Sequence, residues 1–343
     1  AVQRFCTLIL YQSIPLGKRG ANRVLKGLER FFSAVTVIAF LYMIIFDIAL
    51  KFNPAPTNLD NPLERLGVFA SRSFFPHPNT FAVVMVMCAI YHFTWVLLNR
   101  SHKTLFFLSV LCIVATIRMK PMFMLPVSLV ILYFLIHIKK GRISHKALLV
   151  GFLLAITVCI SVYALAVFTP LKDVLIMRFA DNTTSVRILL FRSALSINLD
   201  TYGLGAGFGR FGSPVSAMNY YSPLYYKYRI AYLPHATPDD PSYITDQWWS
   251  WYLGEVGIIG TALFGGIILA AIFRLRHVAL YWRGRDISMT ALAYAAAGIL
   301  VYGLSIGMVG NFLAGPPTSY YAMSLTGLAF ALHRGLLRER GGR

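Results

Sequence analysis

Charge is scarce in this chain, and negative charge is scarcer still. Only 13% of its 343 residues are charged, against roughly 25% in soluble domains. Thirteen carboxylates stand against 32 lysines and arginines. With 57% hydrophobic residues and a mean hydropathy of +0.63, this shortage excludes a water-soluble fold and implies an integral membrane protein. Cysteine is equally thin. Cys6, Cys88, Cys112 and Cys159 lie far apart, three of them inside apolar runs, which argues against a disulfide framework. No two His, Cys or Asp residues share a familiar ligand spacing, so no metal site is expected. Short alternating segments of about 10 residues are missing, which excludes a transmembrane barrel. No internal repeat emerges, which weighs against a flippase or transporter built from inverted halves. No signal-peptide pattern opens the chain and no initiator methionine is present, so trimming at the N-terminus is expected.

What is present is a series of apolar runs of bilayer length. They lead to an all-α polytopic membrane protein, a helical bundle with about eight spans and one large external loop. The expected organisation is a basic segment over 1–32, five spans over 33–169, a loop over 170–247, three spans over 248–333 and a basic tail over 334–343. With the N-terminus in the cytoplasm, 20 of the 32 Lys/Arg fall in cytoplasmic segments, as the positive-inside rule requires. The excess of basic charge is therefore a topology signal. A nucleic-acid footprint would need a soluble face to carry it, so no nucleic-acid partner is expected.

The interval 170–247 is the one long polar stretch, with seven cations and six of the thirteen carboxylates. Long ordered loops usually bind or catalyse, and this one is expected to be the active-site face of a membrane enzyme. Several cations fall on its side of the membrane: Arg72 after the first span, Arg118 and Lys120 in a tight hairpin, and Arg187, Arg192 and Arg210 in the loop. Any one of them is accounted for by snorkelling to headgroups or by pairing with Asp173, Asp181 or Asp200. Together they point to a diphosphate-binding site, because guanidiniums clamp phosphate oxygens in bidentate fashion and cations near the membrane plane are expensive to keep.

Residues 185–195 read as a short amphipathic helix. Arg187 and Arg192, five positions apart, project about 140° apart around it, so one faces the site and the other faces away. The run Gly203-Leu-Gly-Ala-Gly-Phe-Gly lacks a surrounding βαβ unit and is no nucleotide loop; its glycines are expected to turn the backbone sharply beside a ligand. Where the chain re-enters the membrane, Asp246 suits a helix N-cap and a general base alike, and His235 is the other candidate base. Tyr243 and Trp248 are candidates for stacking on a sugar, although belt anchoring explains a tryptophan there equally well. Glu255, two to three turns deeper, needs a partner or a neutral form. His92 and Asp47, within or at the ends of spans, suit structural hydrogen bonding.

Four segments resemble the O-antigen ligase/polymerase family. Ser71-Arg72 through Pro78-Asn79 is similar to its arginine segment followed by a Pro-Asn that opens a span. Thr116-Ile-Arg118 resembles its Ser-Arg at a hairpin tip, with threonine replacing serine. Arg187, Phe191 and Gly203 to Gly207 resemble the arginine–tryptophan–glycine run that opens its large loop. Asp246-Gln247 through Gly260 resembles the closing motif in which ligases place His-Asn. The resemblance covers about residues 72–260. It implies a GT-C-like membrane glycosyltransferase that uses undecaprenyl-diphosphate-linked oligosaccharide without cofactor or nucleotide sugar, in the bacterial inner membrane with its site facing the periplasm and a chain-length regulator as partner. Arg118 and Arg187 would hold the diphosphate, with Lys120, Arg192, Arg210 and Arg72 around the substrate. Asp246 stands where ligases carry histidine. That departure favours polymerase over ligase and leaves the base open between Asp246 and His235.

Overall fold

The computed structural model describes residues 17–49, 64–65, 68–69, 71–99, 101–116, 118–138, 186–307 and 318–341. The expected span over 147–168 and the start of the long loop, with Asp173 and Asp181, lie outside the described residues. Eight long helices are present among those described: α1 (Lys18–Tyr42), α2 (Pro78–Asn99), α3 (Lys103–Ala115), α4 (Met119–His137), α5 (Val186–Asp200), α6 (Trp248–Trp282), α7 (Ile287–Ile306) and α8 (Thr318–Gly341). A two-residue antiparallel ladder, Glu64–Arg65 against Val68–Phe69, is the sole strand pairing among them. Five of the helices are long and apolar enough to cross a membrane. The protein is an all-α polytopic membrane protein.

The chain divides into two units. The first comprises residues 1–160, 271–302 and 317–343; the second comprises 161–270 and 303–316.

In the first unit, α1 runs unbroken past residue 32, where the sequence suggested a change from basic segment to span, and widens into a π-helix over Met43–Ala49. It buries one stripe, Ala21, Leu25, Phe32, Thr36 and Ala39, at the three-to-four spacing that an amphipathic helix requires. The most deeply buried spans are α2 and α7. They approach closely because α7 carries Gly298: a Cβ there would sit 2.8 Å from Ile90 Cγ2 of α2 and 2.9 Å from Leu132 Cδ2 of α4.

Several buried polar groups in this unit are partnered, as an apolar surrounding favours. His92 Nε2 lies 3.1 Å from Thr36 Oγ1, and His92 Nδ1 lies 3.2 Å from His102 Nδ1. His102 in turn meets Glu29 at 3.4 Å. Asp47 accepts from the Ser71 hydroxyl and from the backbone N–H groups of Arg72 (3.1 Å) and Ser73 (2.8 Å). His92 and Asp47 thus take the hydrogen-bonding roles expected of them. The basic end of α6 and the link after it also have local work. Arg276 donates to the carbonyls of Leu135 and Ile138, and Arg283 donates to Ile136, satisfying the carbonyls that the end of α4 leaves without helical partners.

The second unit is organised around α5. Val186, Leu190, Ala194 and Ile197 form its buried stripe and pack with Phe211, Tyr225, Ile230, Ile244 and Leu253. The helix extends five residues past the expected end at Leu195. In the core, the buried Tyr225 hydroxyl accepts from the Gly212 N–H (2.8 Å) and shares a hydrogen bond with Ser216 Oγ (2.6 Å). Burial pushes the Tyr225 phenol well above the ordinary tyrosine range.

Candidate functional site

Two features build the site region of the second unit: a break in α6 and a loop cluster beside the first turn of α5. The break is at Gly257, whose φ of 70° and ψ of −177° lie outside helical space. A break frees carbonyls before it and amides after it, and each must find a partner where water is scarce. Asn198 of α5 serves both sides. Its Nδ2 donates to Leu253 O (2.7 Å), and its Oδ1 accepts from the Ile258 N–H (2.6 Å). The glycine loop supplies the rest: Ala206 N–H donates to Gly254 O (2.8 Å), and Gly207 N–H donates to Glu255 O (2.9 Å).

The glycines make this approach possible. A Cβ on Gly205 would lie 2.4 Å from Gly257 N, and one on Gly257 would lie 2.0 Å from Gly203 O. The glycine run turns beside the broken helix, whose freed backbone groups it binds, and Gly205 and Ala206 also line the groove at the end of α5. Glu255, 4% exposed, has the partner its depth requires: its Oε1 accepts from the Phe211 N–H at 3.3 Å.

The loop cluster brings three of the candidate residues together. The Arg187 guanidinium stands 5.6 Å from the Tyr243 ring centroid, within cation–π range. The Tyr243 ring is 4.8 Å from the His235 ring, and Tyr243 N–H donates to His235 O (2.9 Å), closing the turn between them. His235 Nδ1 meets Asp240 Oδ2 at 2.6 Å. The hydrogen bond from His235 holds the Asp240 carboxyl below the ordinary carboxylate range, with Ser242 adding to the effect. An ionised carboxylate accepts only, so Nδ1 carries the proton, and Nε2 is then the ring atom with a lone pair to take another. Asp240 was not among the candidates. Its signal was the Thr-Pro-Asp-Asp-Pro turn after His235, which folds a carboxylate back onto a nearby ring.

The remaining candidates are placed elsewhere. Arg192 is exposed on α5 while Arg187 is half-buried, the divergence that five-residue spacing implies. Asp246 closes a short 3-10 turn over Ile244–Asp246. Gln247, extended at φ −125° and ψ 119°, is the residue immediately before α6 and takes the cap position considered for Asp246. Trp248 is fully buried, with Tyr252 and Phe264 rings 4.7 and 5.2 Å away. Its indole belongs to an aromatic core and offers no face to a sugar. Arg72, Arg118 and Lys120 belong to the first unit. There Arg72 N–H binds Asp47 and Arg118 N–H reaches Thr116 Oγ1 at 3.4 Å.

Arg210 lines a polar groove of about 560 Å³ at the C-terminal end of α5, together with Asp200, Thr201, Tyr220, Lys227 and Tyr228. Asp200 Oδ2 accepts from Lys227 Nζ (2.9 Å) and from the Tyr228 hydroxyl (3.1 Å). The Lys227 hydrogen bond is the main cause of a lowered Asp200 pKa and of a raised Lys227 pKa in return. The sign follows by linkage. A lowered carboxylate adds stability above its unfolded pKa and loses it as pH falls through the folded one; a raised lysine adds stability below its unfolded pKa and loses it as pH rises through the folded one. Protection from hydrogen exchange over residues 199–228, relative to the intrinsic rate of each amide at the same pH, should therefore stay flat between about pH 5 and pH 9 and fall below about pH 4. Asp200→Asn should remove that acid-side transition.

The family model described as O-antigen ligase matches residues 103–265, from the first residue of α3 through the glycine loop and past the break in α6. The match covers a little under half of the chain and supports membership of the O-antigen ligase/polymerase family. Members of that family are membrane enzymes of the glycosyltransferase type, polymerases or ligases. The Ser71–Ala82 resemblance falls outside the matched residues. No curated protein matches the chain.

Proposed function

We propose that this protein polymerises undecaprenyl-diphosphate-linked oligosaccharide repeat units into a surface polysaccharide, acting at the periplasmic face of the bacterial inner membrane. The observation that carries this reading is the cluster of Arg187, Tyr243, His235 and Asp240 in an extramembrane segment of a family member. Displacing a lipid diphosphate from an anomeric carbon builds negative charge on the departing oxygens. A guanidinium fixed beside them in a partly dehydrated site stabilises that charge more than water does. The acceptor sugar hydroxyl attacks the anomeric carbon and its proton passes to His235 Nε2, with Asp240 holding the imidazolium. The C1–O bond to the diphosphate breaks as the new glycosidic bond forms, leaving undecaprenyl diphosphate and a longer glycan.

The histidine–carboxylate pair favours His235 as the base, and Asp246 is the alternative that the sequence raised. The groove at Arg210, Asp200 and Lys227 suits a glycan chain: its volume of about 560 Å³ lies within the range of small-ligand pockets, roughly 300–1,000 Å³. Arg118 and Lys120 are proposed as further cations for the leaving group on the strength of the hairpin pattern and the family match. A chain-length regulator is the proposed protein partner.

The second reading is a ligase that transfers finished polymer to a lipid A core, favoured by the match to a family described as O-antigen ligase. Purified protein given lipid-diphosphate oligosaccharide alone should yield a ladder of products. A product that appears only when lipid A core is added would establish the ligase instead. Transport of the lipid-linked glycan across vesicles with no new bond would sink both.

A further inference from the structure

We infer that the turn carrying Leu199, Tyr202, Leu204 and Phe208 is a membrane anchor, seated in the lipid leaflet that surrounds the start of the spanning part of α6. These four side chains are 82%, 93%, 66% and 86% exposed. Large apolar side chains are disfavoured in water, and four within ten residues make a patch that calls for a cover. The turn that bears them is well held. Gly203 N–H donates to Asn198 O (2.8 Å), Leu204 N–H to Thr201 O (3.1 Å), and Gly205 N–H to Thr201 Oγ1 (2.9 Å). The apolar tip is thus a built projection.

Its position identifies what covers it. A Cβ on Gly203 would touch Ile258 Cγ2 at 3.1 Å and Ile259 Cδ1 at 4.0 Å, so the turn rests on the first residues after the break. From there an exposed apolar face descends along α6 through Ile258, Ile259, Leu263 and Ile267. An open trough of about 610 Å³ between Ile259 and Ala270 follows the same face, with Ala262 and Gly266 in its lining. Such a surface on a spanning helix faces acyl chains, and the tip continues it without interruption.

Helix length places the water boundary at the same level. The residues from Ile258 to Trp282 extend about 38 Å at 1.5 Å per residue, enough to cross a hydrocarbon core of about 30 Å. The first nine residues of α6, before Gly257, are therefore surplus to the crossing and sit outside the core, and the turn that wraps the break lies at the headgroup boundary. Arg210, exposed two residues beyond Phe208, supplies the cation that interfacial segments set against phosphate headgroups. Such segments reach some 5–10 Å into the headgroup–acyl boundary, a depth that suits Leu204 and Phe208. Like the spanning helices, this inference is independent of whether the enzyme is a polymerase or a ligase.

The test uses full-length protein in phosphatidylglycerol–phosphatidylcholine vesicles, its native cysteines replaced, with a nitrobenzoxadiazole label on Leu204→Cys, Phe208→Cys or Asp239→Cys. Brominated acyl chains should remove most of the emission at 204 and 208 and leave 239 unchanged. Equal behaviour at all three positions overturns the anchor. Disulfide pairing of Phe208→Cys between two copies, or quenching that needs added polyprenyl diphosphate, overturns it in favour of self-association or of the substrate lipid. A label-free measurement keeps the result readable if the cysteine-free protein folds poorly. Trypsin should cut wild-type protein at Arg210 slowly in vesicles and rapidly in detergent, while Leu204→Ser/Phe208→Ser is cut rapidly in both. Equal wild-type rates in the two media would also refute the anchor.

Discussion

Arg187→Ala should abolish chain extension in a protein that still inserts, runs as a single species in detergent and keeps its loop resistant to protease. The side chain is half-buried at the first described turn of α5 and lies against Tyr243. The stripe that holds the helix in place, Val186, Leu190, Ala194 and Ile197, does not depend on it. Removing a preorganised donor aimed at developing negative charge costs about 10²- to 10³-fold in rate, roughly 2.7–4 kcal/mol. Arg187→Lys should recover part of that loss, since it restores the charge and not the bidentate fork. Arg192→Ala, on the exposed side of the same helix, should change the rate by less than about threefold, the scale of a surface substitution. A radiolabelled lipid-diphosphate oligosaccharide resolved on a gel reads all three. Full-length product from Arg187→Ala would remove the leaving-group role.

The base can be assigned in the same assay. His235→Ala should lower the rate far more than Asp246→Ala. Asp240→Asn should retain the histidine and still slow the reaction, because an amide can hold the ring in the other tautomer. The opposite ranking would restore Asp246 to the position that the closing motif suggested.

Much of the fold was legible because bilayer thickness imposes itself on composition. The runs that became the second half of α1, α2, α7 and most of α6 are long, apolar and nearly free of charge, and few other structures suit such runs. The polarity of residues 170–247 was equally plain, as was the divergence of Arg187 and Arg192, since both follow from spacing along a single element. The break in α6 was not legible. Gly254, Gly257 and Gly260 sit in an apolar stretch where glycine is ordinary in membrane helices, and nothing local distinguishes a glycine that packs from one that breaks. The decisive partner, Asn198, is 60 positions from Ile258, and in sequence it is one more polar residue near the end of a short helix. Trp248 misled for a related reason. A tryptophan at a membrane boundary serves as belt, ligand platform or core, and only the rings around it decide.

The second large effect concerns that break. Gly257→Ala should destabilise the protein by roughly 4 kcal/mol or more, a size reserved for core and backbone faults. Two penalties combine. An L side chain at φ +70° resists the left-handed region by about 1–2 kcal/mol. Its Cβ would also stand 2.0 Å from Gly203 O, an overlap with backbone that no rotamer relieves. Shifting the glycine loop to make room strips Gly254 O and Glu255 O of their partners, and each such carbonyl left unsatisfied costs about 1–3 kcal/mol. Gly266→Ala on the same helix is the control. Nothing lies within 4 Å of its Cβ position, so it should be neutral or stabilising by up to about 1 kcal/mol. Asn198→Ala should reproduce part of the Gly257→Ala loss by a different route, because it removes one side chain from both Leu253 O and Ile258 N–H while leaving the glycines in place. Thermal unfolding in detergent followed by size exclusion, with loss of hydrogen-exchange protection at the Ala206 and Gly207 amides as a local readout, separates these cases. Early release of the loop in Gly257→Ala and Asn198→Ala, ahead of loss of the spanning helices, is the expected result. An unaltered unfolding temperature in Gly257→Ala would mean that the loop and the helix are not joined through this glycine contact.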